Sequence, residues 1–223
     1  MLTEAKELFD KAVDCPCCKG KFITKKVRAS RLRLEKRDAD FLSHYKVENP
    51  IKYNIFVCPN CGYAAYENKY ENIKEDEINI IQANITLTWV QRDFGGVRSN
   101  QQAIETYKLA LLQGSLLAYN KLELANICLN IGWLNRMDEN EEEERFLILA
   151  RDQFIEAYNN ESLSGTNMTE EKLTYLIAEL SRRLEEKETA LSWFNTCLRH
   201  PDIKMNPALE GMAREQWRLI REN

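Results

Sequence analysis

Four of the seven cysteines in this chain fall into a repeated pattern. Cys15-Pro16-Cys17-Cys18-Lys19-Gly20 and Cys58-Pro59-Asn60-Cys61-Gly62-Tyr63 each contain a Cys-x-x-Cys pair. Two intervening residues let one tight turn present both sulfurs to a single ion, and backbone N–H groups of that turn stabilise the thiolate charge. Proline after the first cysteine fixes φ and stiffens the turn. Glycine just past the second cysteine permits the positive φ that such a turn needs. Together Cys15, Cys18, Cys58 and Cys61 make a closed, tetrahedral, all-sulfur ligand set, the expected ion being Zn²⁺ in a structural role.

The same double knuckle resembles rubredoxin, in which paired cysteines hold one iron, and sulfur ligands alone do not separate zinc from iron. The 39 residues between the knuckles exceed the common zinc-ribbon insert of about 15–20, so the loop has to carry a hairpin of its own. Cys17 stands between two ligands and is expected to point away from the metal. Beside a metal-bound pair it is also a candidate redox-sensitive thiol. Cys128 and Cys197 read as small core residues. An odd cysteine count in a chain expected to be cytoplasmic argues against a disulfide framework.

Between the knuckles, Lys19 to Arg37 contains nine Lys or Arg and one acid, Glu35. A basic strand carrying Arg28, Arg31 and Arg33 beside a zinc site suits contact with an anion or a nucleic-acid backbone. It equally suits a solvated face. Asp38, Asp40 and His44 follow. A hydrolytic metal site uses such groups, although aspartates commonly cap turns. No Gly-rich phosphate loop, G-x-S-x-G, H-E-x-x-H or nucleophile–base pair is present, so the expectation is a protein that is not an enzyme.

These groups need elements to hold them. At 44% hydrophobic and 30% charged, the composition is globular and not disordered. Residues 1–66 hold 13 Lys and Arg against 8 Asp and Glu, whereas 67–223 hold 18 against 27. Five cysteines lie in the first part, and no proline occurs from Asn60 to His200. This division predicts a cysteine-knuckle module over 1–66 and a helical domain over 67–223, with Tyr63–Asn72 as the connecting stretch. Leu2, Ala5, Leu8, Phe9 and Ala12 share a helical face and predict a short N-terminal helix. Strands are expected over 26–34 and 53–57. Helices are expected near 74–92, 99–113, 115–135, 143–158, 169–186, 188–199 and 207–221.

A small–aromatic–small pattern recurs along the helices. Ala103, Tyr107 and Ala110 are matched by Ala150, Phe154 and Ala157, and again by Ala190, Phe194 and Cys197. The spacing places one ring between two close-approach points, as in the second helix of a tetratricopeptide repeat. The expected fold is therefore mainly α. It joins a tetratricopeptide-like array of helical hairpins to a small zinc-ribbon or rubredoxin-like β module. Stacked helix pairs make a concave surface suited to a protein or peptide partner. The N-terminal residues lack an apolar signal region, and the longest uncharged stretch near the middle, Leu109–Asn120, is too short to span a bilayer. A cytoplasmic location and no membrane association are expected.

The ordered motifs also carry a resemblance. Cys15-Pro-x-Cys18, Lys26–Arg33, Asp38–Phe41, His44-Tyr45, Asn49-Pro50 and Val57–Ala65 together resemble an uncharacterised bacterial family, domain of unknown function 2225, over essentially the whole chain. The resemblance implies a cysteine-rich N-terminal module and a tetratricopeptide-like helical remainder, and it brings no activity. Cys17 departs from the family's usual residue in the first knuckle. The functional expectation is a zinc-binding adaptor that recruits a protein or peptide. A rubredoxin-like iron or thiol redox protein and a nucleic-acid-binding zinc protein stand as alternatives.

Overall fold

The computed structural model describes residues 6–222. Six strands come first: β1 (Leu8–Asp14), β2 (Lys21–Val27), β3 (Leu34–Arg37), β4 (Ser43–Tyr45), β5 (Ile55–Val57) and β6 (Ala64–Tyr66). Eight helices follow: α1 (Glu67–Tyr70), α2 (Glu75–Asn84), α3 (Asn100–Leu116), α4 (Lys121–Met137), α5 (Glu142–Asn160), α6 (Glu170–Arg183), α7 (Lys187–Arg199) and α8 (Pro207–Glu222). The strands pair as three antiparallel two-stranded sheets, β1 with β2, β3 with β4 and β5 with β6. The protein is thus mainly helical with small N-terminal sheets. Among the described residues no helix is long and apolar enough to cross a membrane.

The expected N-terminal helix is instead β1, and Leu2 and Ala5 lie outside the described residues. Leu8 to Asp14 form a seven-position ladder with Val27 to Lys21. A weak local helical pattern yields because the seven-position ladder pairs the inner edges of both strands and delivers Cys15 to its knuckle. The strand expected over 26–34 is divided. β2 ends at Val27, a 3₁₀ turn occupies Ala29–Arg31, and β3 begins only at Leu34. Alternation there was misleading because β3 buries neither face. In the second strand region, Pro50–Tyr53 form a 3₁₀ turn capped by the Asn49 side chain, and the strand starts at Ile55. The helix expected over 74–92 stops at Asn84, and Thr86–Thr88 form a 3₁₀ turn. The helix expected from 115 begins only at Lys121, because α3 runs on to Leu116, and the other expected helices lie within about three residues of their places.

The chain divides into two compact units that do not follow sequence order. The first runs to Arg37, resumes over Ser43–Tyr119 and adds Trp133–Asn140; the second takes Asp38–Leu42, Asn120–Gly132 and everything from Glu141. Residue 66, where composition changes, lies inside the first unit. Tyr63–Asn72 is no connecting stretch, because Tyr63, Ala64, Ala65 and Tyr70 are all buried.

In the second unit α5, α6, α7 and α8 pack in chain order. Tyr175, Ala190, Phe194, Cys197, Leu209 and Ala213 form the core of this stack. Each expected triplet is a packing face: Ala150, Phe154, Ala157, Ala190, Phe194 and Cys197 are fully buried, and Ala103, Tyr107 and Ala110 are buried in the first unit. Asp38–Leu42 belongs with the stack for a clear reason. The Tyr175 hydroxyl donates to the Ala39 carbonyl at 2.7 Å, and buried Asp40 lies 3.5 Å from the Arg183 guanidinium.

Candidate metal centre

Each Cys-x-x-Cys pair is the loop of a β hairpin. The first knuckle joins β1 to β2, and the second joins β5 to β6. The two loops repeat one backbone pattern. Cys15 N–H donates to the Gly20 carbonyl at 2.9 Å, and Lys19 N–H donates to Cys15 at 2.8 Å. Correspondingly, Cys58 N–H donates to Tyr63 at 2.9 Å, and Gly62 N–H donates to Cys58 at 3.0 Å. The residue just past the second cysteine takes positive φ in both, 60° at Lys19 and 77° at Gly62. Glycine fills this position only in the second knuckle. In the first, Gly20 serves close approach: a Cβ there would lie 2.6 Å from the Asn60 amide and 3.3 Å from the Cys18 sulfur.

The four sulfurs of Cys15, Cys18, Cys58 and Cys61 lie within 4.8 Å of one another. Cys15–Cys61 and Cys18–Cys58, each reaching across the two knuckles, are 3.6 Å apart. A tetrahedron with metal–sulfur bonds of about 2.3 Å has edges of about 3.8 Å. The donor set therefore fits a metal ion, and the separations exclude disulfides, whose sulfurs lie about 2.05 Å apart. Cys15, Cys58 and Cys61 are buried, and Cys18 is exposed.

The thiols are electrostatically linked. Hydrogen bonds from Cys17, then from Cys58 and Cys61, hold the Cys15 thiol well below its ordinary range against the desolvation that opposes ionisation. The partners shift the other way. Hydrogen bonding to Cys15 is the first cause that raises Cys17 and Cys61, and it pushes Cys58 up to about 12. Thiols this close do not all ionise by themselves, whereas a cation at their centre favours four thiolates.

Residues beyond the knuckles hold them in place. Gln113 of α3, itself buried, accepts from Ala64 N–H at 2.9 Å and donates to the Gly62 carbonyl at 2.8 Å. Thr86 donates to the Cys61 carbonyl at 3.1 Å, and Trp89 Nε1 donates to Pro59 at 2.8 Å. Gln82 of α2 donates to the Cys17 carbonyl at 3.3 Å. The Trp89 ring lies so close over Gly62 that a Cβ would meet it at 2.4 Å. Behind the cysteines, Phe56, Tyr63, Tyr70, Ile81 and Ile85 complete an apolar cluster. The Tyr70 hydroxyl is buried there, and among the described residues no group lies in hydrogen-bonding geometry to it. Burial first, then charge at Cys15, keeps this phenol protonated.

Arg98 supports the same hairpins. Its buried guanidinium donates to the carbonyls of Phe94 at 2.8 Å, Lys52 at 3.0 Å and Ile55 at 2.8 Å, and to the Thr24 hydroxyl at 3.3 Å. None of these supporting residues stands out in the sequence. A buried glutamine or arginine becomes visible only when its backbone partners are placed by the fold.

The other candidates have different surroundings. Cys17 is buried in the cysteine cluster, and hydrogen bonding to Cys15 and then burial raise its thiol. Cys128 and Cys197 are core residues with thiols pushed up to about 11, desolvation being the first cause. Asp38, Asp40 and His44 are not among the ligand atoms gathered by the cysteines. Arg28 and Arg31 line one cleft, and Arg33 does not.

A mainly helical protein whose two N-terminal hairpin loops bring four cysteines together is thereby defined. The chain belongs to the family described as an uncharacterized protein conserved in bacteria, domain of unknown function 2225, whose model matches residues 8–220. No curated protein and no solved structure matches it.

Proposed function

We propose that the protein is a non-enzymatic zinc-binding adaptor. Its metal ties the two knuckled hairpins together, and its tetratricopeptide-like helices recruit a protein or peptide in the cytoplasm. The observation that carries the metal half is the closed set of four sulfurs at near-tetrahedral spacing. A structural zinc site has this form, since no ligand position is left open for substrate or water. Support for the adaptor half comes from the chain-order packing of α5 to α8 around buried small and aromatic residues, as in repeat scaffolds.

Elemental analysis of the purified chain tests the metal half. One zinc per chain, lost in Cys58→Ser, is expected; full metal content in that variant would refute the four-ligand assignment. A red protein with one iron per chain would replace zinc by the rubredoxin-like reading, for which the exposed Cys18 sulfur offers a route for electrons. The adaptor half is tested by affinity capture from native cytosol with the wild type and with Leu149→Asp, an exposed position of α5. A partner retained by the wild type and lost by the variant is expected. Capture of no partner by the folded wild type would count against recruitment.

A further inference from the structure

Beside the first hairpin lies an open cleft of about 660 Å³, lined by Leu8, Phe9, Lys25, Arg28, Arg31 and Val97 with Lys6 and Asp10 at its polar side. Its volume lies in the range of small-molecule sites, roughly 300–1,000 Å³. Among the described lining residues are four cations and one carboxylate, Asp10, which is 2.9 Å from Lys25.

The fold places the two guanidinium groups together. Arg28 is the N-cap of the 3₁₀ turn Ala29–Arg31, and Arg31 N–H donates to the Arg28 carbonyl at 2.9 Å. Arg28 itself is extended, and both arginines line the same cleft. The Arg28 guanidinium stands 5.0 Å over the Phe9 ring, a surface that takes none of its hydrogen bonds. Arg31 has no side-chain partner among the described residues. Leu8, Phe9, Asp10 and Lys25 belong to the β1–β2 ladder, paired over seven positions, and the two arginines follow the end of β2.

We propose that this cleft binds the phosphate chain of a small oligophosphate, free or as part of a nucleoside triphosphate. Forked guanidinium donors match phosphate oxygens in pairs, and two such forks suit a compact, multiply charged anion. A nucleic-acid track fits less well. Elsewhere in the basic run Lys21 lies near Asp14 and Lys26 is held by Glu67, which interrupts the positive surface. Phe9 is the one aromatic lining residue and is covered by Arg28, so bases find no stacking platform.

Calorimetric titration of the full chain tests this with tripolyphosphate, adenosine triphosphate and a short single-stranded oligonucleotide. Both triphosphates should bind, more weakly as salt rises. Arg28→Gln and Arg31→Gln should each weaken binding about tenfold or more, as loss of a charged hydrogen bond does. Arg33→Gln removes the same charge from an exposed position outside the cleft and should change affinity by less than about twofold. An equal loss in Arg33→Gln would overturn the proposal in favour of a diffuse field. Binding of the oligonucleotide alone, or of none of the probes, would overturn it as well. All three arginines are exposed, so the variants keep the fold, which circular dichroism checks.

Discussion

Lys19 and Gly62 occupy the same place in two turns 43 positions apart, each with positive φ and each donating its N–H to the first cysteine of its own knuckle. One is a lysine and the other a glycine because their surroundings differ. Lys19 is exposed. Gly62 lies under Trp89, with the nearest ring atom 2.4 Å from where a Cβ would stand.

The two positions should therefore respond oppositely to substitution. Lys19→Gly removes a left-handed penalty of roughly 1 kcal/mol, partly offset by the greater freedom of glycine in the unfolded chain. It is expected to be neutral to slightly stabilising. Gly62→Ala introduces that penalty and displaces the indole, with a loss of about 2 kcal/mol or more. Urea unfolding of both variants at fixed metal concentration decides this, and equal effects would refute the difference in surroundings.

Gln113 is the clearest test of support from outside the knuckles. Gln113→Ala leaves the Ala64 N–H and the Gly62 carbonyl unpaired in a buried setting. The expected cost is about 2–4 kcal/mol, with faster transfer of metal to a chromogenic chelator. Gln113→Glu keeps the acceptor but sets a buried carboxylate oxygen against the Gly62 carbonyl, so it should cost at least as much as alanine at neutral pH.

Removal of the metal should act unevenly. Metal binding to such sites contributes folding free energy on the order of 10 kcal/mol, and all four ligands lie in the first unit. The core of the second unit from Tyr175 to Ile220 contains none of them. A strong chelator should abolish the near-ultraviolet signal of Tyr63 and Tyr70 while most helical signal at 222 nm persists. Complete loss of helix would show that the second unit depends on the metal.

Glu67 should shape the acid side of the stability profile. It receives Lys11 at 2.7 Å and Lys26 at 2.6 Å, from both strands of the first hairpin. Burial raises its pKa, but the two lysines outweigh burial and hold it below its ordinary 4.5. A carboxyl depressed in the folded state contributes stability that is complete above its unfolded value, and that is lost as pH falls through the folded value. Glu67→Gln should therefore destabilise the protein at neutral pH and flatten the decline below about pH 4.5, which thermal unfolding from pH 7 to pH 3 measures.

The four-cysteine cluster was legible because each pair is local: two cysteines three apart need only one turn, and proline and glycine announce it. Three helices, α3, α5 and α7, carry the buried small–aromatic triplets that the sequence displays. The N-terminal helix was misread because Leu8, Phe9 and Ala12 satisfy a helical face by themselves, while the ladder that makes them a strand depends on residues 21–27. The supports were hidden for the same reason. Nothing local marks Trp89, and only its placement over Gly62 makes it part of the knuckle. The assignment of Asp38–Leu42 to the helical stack depends on Tyr175 and Arg183, more than a hundred residues away.

The site is made of two separable claws, each a hairpin tip with two sulfurs. Either tip can seize an ion before the other arrives, and joining them closes the long loop from Cys18 to Cys58. With one ion per chain, a loaded tip is completed by its empty partner. With ions in excess, both tips are loaded separately and neither can complete the other. Refolding yield should thus rise with added metal, peak near equimolar and fall beyond it, so too much of the ion hinders folding as surely as too little.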